Sequence, residues 1–233
     1  MSQMPHDGVA AAHSSARRGR PPQTREQADE VRARIVLAAA DVFTAHGSRG
    51  LNVARVLERA GISRPTYYRY FANAEAPLHV LLTASNEGLV GGIRAALERS
   101  DEPVQLGIGI IDAYLDWARG HGPMLRPVFA ELHDPASPVS AYREEAFDDI
   151  RALVRTKFAA LGRPAPSPLD LDTALQVCEF VVYRVSAGAA PEPAPDEVAA
   201  ARLTMIRSVL VTLGRREDVE LALTIPGIFE PAG

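Results

Sequence analysis

Three observations predict an all-α fold for this chain of 233 residues. Apolar residues recur three and four positions apart, the period of a helix with one buried face. No stretch alternates apolar and polar residues in the manner of a strand. Clusters of Gly, Pro and Asp cut the chain into pieces of helical length. Hydrophobic residues make up 47% of the chain, enough to bury a core rather than stay unfolded.

The elements follow in order. Residues 1–20 show no periodicity and read as a mobile leader. Thr24 with Gln27 three positions on forms a capping box and starts the first helix. Ile35, Ala39 and Phe43 share its inner face, and Gly47 closes it. Asn52 caps a second helix through Ala60, with Val53, Val56 and Leu57 turned inward. Gly61 supplies the turn. Ser63 caps a third helix from Arg64 to about Phe71, and Pro65 sits in its first turn, where it breaks no hydrogen bond. Asn73 caps a fourth. Helices are then expected over 74–99, 104–121, 123–133, 138–161, 169–187 and 196–215, separated by breakers at 101–103, 120–123, 134–138, 162–168 and 188–195. The resulting division is a basic arm (1–23), a three-helix N-terminal domain (24–73), a helical body (74–215) and a C-terminal tail (216–233).

Two short helices joined by a tight Gly turn, the second starting at a Ser cap, form a helix-turn-helix. The first helix crosses the DNA backbone and the second enters the major groove. On the third helix Tyr67 and Phe71 face inward with Ile62, while Pro65, Thr66, Tyr68 and Arg69 point outward. Arg can read guanine in bidentate fashion, a Thr methyl or Pro ring can meet a thymine methyl, and a Tyr hydroxyl can bond a phosphate. Charge agrees with this division. The first 75 residues hold 11 basic against 7 acidic residues, a net +4, and the remainder 14 against 22, a net −8. A basic head that meets a polyanion on an acidic body that does not would show this asymmetry.

The stretch from Gly47 to Leu78 resembles the DNA-binding signature of the tetracycline-repressor (TetR) family. Ala60-Gly61-Ile62-Ser63, then Thr66, Tyr68, Tyr70 and Phe71, fall where that pattern puts them. The resemblance implies that Arg64, Pro65, Thr66 and Arg69 face bases and that Tyr68 and Tyr70 hold phosphates. It also implies that Asn52 stands where the family usually has a phosphate-touching Thr. Ala74 departs from the pattern, which often has a Lys there. The leader Arg17-Arg18-Gly19-Arg20-Pro21-Pro22 reads either as an arm that puts Arg18 and Arg20 into a minor groove or as a solubilising tail.

For the body the resemblance implies a plan only: a helical domain around a pocket, with its last two long helices pairing against a second copy. On those helices Leu171, Leu175, Cys178 and Val182, then Ala201, Met205, Val209 and Leu213, make apolar stripes and are the expected dimer interface. Ile110, Tyr114, Trp117, Met124, Leu125, Phe129, Phe147, Phe180 and Tyr183 are the expected lining of a pocket for a small apolar or aromatic effector. The partners implied are a double-stranded operator, a second copy and that effector. His121, His133 and Asp134 fit no zinc spacing, and no metal or other cofactor is expected. An enzyme would need a phosphate loop, a nucleophile with its base, or a metal set, and none is present. An adaptor whose head no longer binds DNA has only Ala74 in its favour. The start lacks the apolar core of a signal peptide and no run approaches the roughly 20 residues of a membrane span, so a cytoplasmic regulator is expected.

Overall fold

The computed structural model describes residues 24–186 and 193–229. Among these residues there are ten α-helices and no strand: α1 (Arg25–Gly50), α2 (Val53–Ala60), α3 (Arg64–Tyr68), α4 (Ala76–Arg99), α5 (Pro103–His121), α6 (Leu125–Glu131), α7 (Pro138–Ala160), α8 (Pro168–Ser186), α9 (Pro195–Leu213) and α10 (Arg216–Leu223). A short 3₁₀ turn, Gly122–Met124, joins α5 to α6.

The capping box at Thr24 is formed on both sides, Thr24 accepting from the Gln27 N–H and Gln27 from the Thr24 N–H, each at 3.2 Å. Gly47 sits inside the span of α1 at φ +66° and ψ −176°, so the regular helix ends there and residues 48–50 form a separate turn. Only glycine adopts that backbone without strain. The inner faces expected of the first three helices meet in one cluster. Ile35, Ala39 and Val56 are fully buried with Tyr67, and Phe71 closes the edge.

A second cluster joins this head to the body. Phe43 of α1 and Leu78 of α4, both fully buried, pack with Leu82, Val128, Leu132 and Val139. Full burial of a Phe side chain contributes roughly 2–3 kcal/mol, so head and body share one apolar seam here. In the body α4 packs on α5 and α7, and α8 on α9. The body core is built around Ile93, Leu106 and Val154 on one side and Ile111, Met205 and Ile206 on the other.

Two expectations change. The stripes read as a dimer interface build the monomer's own core: Leu171, Val182, Ala201 and Met205 are buried, and Leu175, Cys178, Val209 and Leu213 pack half-buried against them. The strongest apolar face of an amphipathic helix serves its own domain first. What α8 and α9 leave outside is a different set, Leu169, Phe180 and Tyr183 on α8 and Val211 on α9. The segment read as a tail holds α10, and its Ala222 and Ile228 enter the body core. Asp218 fastens it by accepting from the Arg215 N–H at 2.7 Å and pairing with Arg163. No helix among the described residues is long and apolar enough to cross a membrane.

Candidate nucleic-acid interface and internal cavity

Local sequence fixes the head's geometry. The Asn52 carboxamide accepts from the Arg55 N–H at 3.0 Å and opens α2. Gly61 ends it at φ +62°, a left-handed conformation that costs an L side chain energy. Ser63 then caps α3, accepting from the Thr66 N–H at 3.4 Å, and its hydroxyl meets that of Thr66 at 2.9 Å. The helix is a single turn and a half, so something else must hold it. Tyr67 does so. Its ring is fully buried and its hydroxyl donates to the Asn73 carbonyl at 2.8 Å. Burial, with Tyr68 adding to it, pushes the Tyr67 phenol up to about 12, so it stays a neutral donor. Asn73 in turn accepts from the N–H groups of Glu75 (3.1 Å) and Ala76 (2.9 Å) and opens α4.

With Tyr67 pinned, the other side of the turn is presented to solvent. Arg64, Pro65 and Arg69 are exposed, and Tyr68 is half-exposed with its ring set at right angles to that of Tyr67. Thr66 and Tyr70 are only partly accessible, and the Arg69 guanidinium lies 5.7 Å from the Tyr70 ring centre. Asn52 is exposed at the start of α2, and Arg55 beside it donates to the Gly50 carbonyl at 2.6 Å. Ala74 is half-buried and places no cation at the start of α4. The arm residues Arg18 and Arg20 lie outside the described residues.

The body contains a narrow cavity of about 60 Å³ between α4, α5, α6, α7 and α8. Six of the nine residues expected to line a pocket meet there: Tyr114, Trp117, Met124, Leu125, Phe129 and Phe147. The other three do not. Ile110 packs in the adjoining cluster against α4 and α7. Phe180 and Tyr183 stand on the outer face of α8, 61% and 43% exposed, although Tyr183 touches Phe129 edge-on. They are one helical turn apart on a face that the sequence pattern of alternating apolar stripes did not separate from the inner one.

The sequence reading missed the cavity's charges. Arg143 of α7 and Glu179 of α8 both line it, both are more than nine-tenths buried, and they pair in bidentate fashion at 2.6 and 3.2 Å. Burial works against the Arg143 charge, but its bonds to Glu179 and the adjacent Glu144 outweigh burial and hold its pKa above the usual value. The guanidinium also covers the Phe147 ring at 4.4 Å. A signal existed: Glu179 is the lone charge in the apolar run from Val177 to Tyr183.

Also absent from the sequence reading is the contact between cavity wall and head. Glu131, the last residue of α6, accepts from the Ser48 N–H at 2.8 Å and from the Ser137 hydroxyl at 2.5 Å. The turn after Gly47 is thereby clasped to the helix that carries Leu125 and Phe129 into the cavity. Arg49 adds an exposed ion pair to Asp134 at 2.9 Å. His121 and Asp134, considered above as metal ligands, have separate engagements, His121 with the Trp117 carbonyl and Asp134 with Arg49.

Comparison with known proteins bears on both parts. Residues 35–76 match the family model described as bacterial regulatory proteins, tetR family. The HTH-type transcriptional activator FasR of Mycolicibacterium smegmatis is 27% identical over 173 residues, covering 64% of this chain and 79% of that protein. Among solved structures, the fatty acid degradation regulator FadR of Bacillus halodurans superposes with a TM-score of 0.62 at 18% identity, over 80% of this chain and 96% of that one. SmeT, the repressor of a Stenotrophomonas maltophilia multidrug efflux pump, superposes in its triclosan complex with a TM-score of 0.59 at 18% identity, over 88% and 99%. At such identities the structural likenesses speak for the fold.

Proposed function

We propose that this chain, which belongs to the TetR family of bacterial regulatory proteins, acts as a homodimeric repressor that an apolar effector releases from a pseudo-palindromic operator. One observation carries the DNA reading. A short helix anchored through buried Tyr67 turns Arg64, Pro65, Tyr68 and Arg69 outward together. In this reading Arg64, Pro65, Thr66 and Arg69 face bases in the major groove, and Asn52, Tyr68 and Tyr70 hold phosphates. Two such heads reading two half-sites need a dimer. The outward residues Leu169, Phe180, Tyr183 and Val211 supply an apolar face for it. The work is binding rather than catalysis, and it takes place in the cytoplasm, where the DNA is.

The effector reading rests on the cavity and the Glu131 clasp. An engineered apolar cavity of about 150 Å³ is enough for benzene, so one of about 60 Å³ must widen to admit an effector. Its α6 wall is a helix of seven residues whose far end holds the turn after Gly47. Spreading that wall shifts the head relative to its partner copy. The effector acts only through its differential affinity for the two states. Whether a bound operator is silenced or activated depends on where it lies relative to the promoter. Repression follows where the two overlap.

The test is selection of bound duplexes from a random pool by the purified chain at physiological salt. A reproducible pseudo-palindromic consensus supports the reading. Sequence-indifferent, salt-sensitive binding refutes it.

A further inference from the structure

The cavity's polar groups say which effectors it can accept. Its walls are apolar at Leu125, Phe129 and Phe147, and most of its polar atoms already have partners. The Trp117 indole N–H donates to Ser85, 3.1 Å from its carbonyl and 3.2 Å from its hydroxyl. The Asn86 amide donates to the Tyr142 carbonyl at 2.7 Å. Arg143 directs its donors at two carboxylates, Glu179 inside and Glu144 outside.

Tyr114 is the exception. It stacks on Trp117 at 5.4 Å between ring centres, and among the described residues its hydroxyl makes no hydrogen bond. Burial, then the charge of Glu179 and the neighbouring Cys178, raise its pKa, so it is a neutral phenol able to donate or accept. Tyr114 is half-buried, and its unpartnered hydroxyl lines the cavity, where a ligand can supply the missing hydrogen bond.

Charge narrows the choice further. Inside the cavity the guanidinium is already matched by Glu179, and outside it by Glu144, so an anionic ligand would find Arg143 engaged and meet repulsion from Glu179. To reach Arg143 it would have to displace Glu179 and strand a carboxylate that is 7% exposed. A cationic ligand would meet Arg143 itself. An uncharged group disturbs neither. A hydroxyl can accept from Tyr114 and donate to a remaining lone pair of Glu179, which keeps its bonds to Arg143.

We propose that the effector is an uncharged amphiphile, an apolar body carrying one hydroxyl-like group that settles between Tyr114 and the Glu179–Arg143 pair. This deepens the effector reading of the body and rests on it. The apolar body widens the wall at α6, while the polar group fixes depth and orientation. Carboxylic acids and amines with the same apolar body are discriminated against.

Trp117 is the chain's one tryptophan and lines both the cavity and an open groove between α4 and α5, so its emission reports binding at either place, and Tyr114, which lines the cavity but not the groove, assigns it. The experiment titrates the full chain with three transparent probes of one length: 1-octanol, octanoate and octylammonium. Octanol is expected to shift the Trp117 emission, with octanoate and octylammonium at least tenfold weaker. Tyr114→Phe is expected to weaken octanol about tenfold, the worth of one hydrogen bond to a buried polar partner. It should leave the thermal midpoint nearly unchanged, because the hydroxyl has no partner to lose. Tighter binding of either charged probe, no response to any of the three, or an unaltered octanol affinity in Tyr114→Phe would overturn the proposal. The duplex selection reads the head without any ligand, so its failure is separable from failure at the cavity.

Discussion

The Arg143–Glu179 pair permits a sharp thermodynamic test. Both side chains are more than nine-tenths buried, and two hydrogen bonds at 2.6 and 3.2 Å join α7 to α8. Glu179→Leu removes the partner and leaves a guanidinium in an apolar setting with only exposed Glu144 to face. The cost of breaking such a pair from one side is about 3–5 kcal/mol. Arg143→Met should cost a similar amount, because buried Glu179 would then be left with mostly exposed His133, 3.9 Å away, as the remaining ion-pair neighbour among the described residues. The double variant, Arg143→Met with Glu179→Leu, strands nothing. Replacing a buried pair by apolar groups of like volume is often neutral or stabilising, so the double variant should recover to within about 1 kcal/mol of the parent by that principle. Urea unfolding of the four proteins, monitored by far-UV circular dichroism, gives the cycle. Two single variants that lose under about 1 kcal/mol each would show that water reaches the pair and that the desolvation reasoning is wrong. So would a double variant as unstable as the sum of the singles.

Four further outcomes are expected. Arg69→Ala should relax preference at one base step of the selected duplex by about 1–3 kcal/mol, and an unchanged preference removes Arg69 from the base-reading set. Glu131→Ala, which releases the Ser48 N–H, should leave both octanol and duplex affinities near the parent's while abolishing the effect of one on the other; undiminished coupling would place the route elsewhere. Phe180→Glu puts a charge on the outward face of α8, where the side chain is 61% exposed, and should yield a folded monomer by sedimentation. A dimer of parental stability would exclude that face. Asp218 is the pH-sensitive fastening of α10. Burial raises its pKa, but the bonds from Arg163 and the Arg215 N–H prevail and lower it. Its contribution is therefore complete at neutral pH, begins to fall as the pH drops through the ordinary aspartate value of 3.8, and is lost once the pH passes below the folded-state pKa. Asp218→Asn should cost about 1.5–3 kcal/mol at pH 7 and flatten that acid limb. Parallel acid limbs in urea would contradict it.

Local chemistry explains why the head was legible in the sequence and much of the body was not. Thr24, Asn52, Ser63 and Gly61 act on backbone groups a few residues away, so their roles can be read without knowing the fold. Tyr67 follows from the same logic, since a helix of one and a half turns has only one inward side; Phe71, expected at the end of that helix, packs beside Tyr67 from just beyond it, because α3 stops at Tyr68. The α8 and α9 stripes misled because an apolar period states which side is buried and never against what. Residues such as Leu171 and Met205 satisfy a monomer core or a dimer seam equally well in sequence. The decision lay with the faces they left behind, where Phe180 and Leu169 remain uncovered.

The contacts that join cavity to head belong to a third class. Glu131 reaches Ser48 across 83 residues, and Arg143 reaches Glu179 across 36. No capping rule or periodicity links such positions, yet each leaves a local trace. Gly47 occupies a backbone region reserved for glycine, and a methyl group there would come within 2.6 Å of the Glu131 carboxylate. The glycine thus does two jobs, ending the regular part of α1 and admitting the side chain that ties α1 to the cavity wall. The sequence discloses the first, because helix termination is local. The second becomes visible only when α6 is in place, which is why the coupling between DNA head and effector cavity has to be argued from the folded chain.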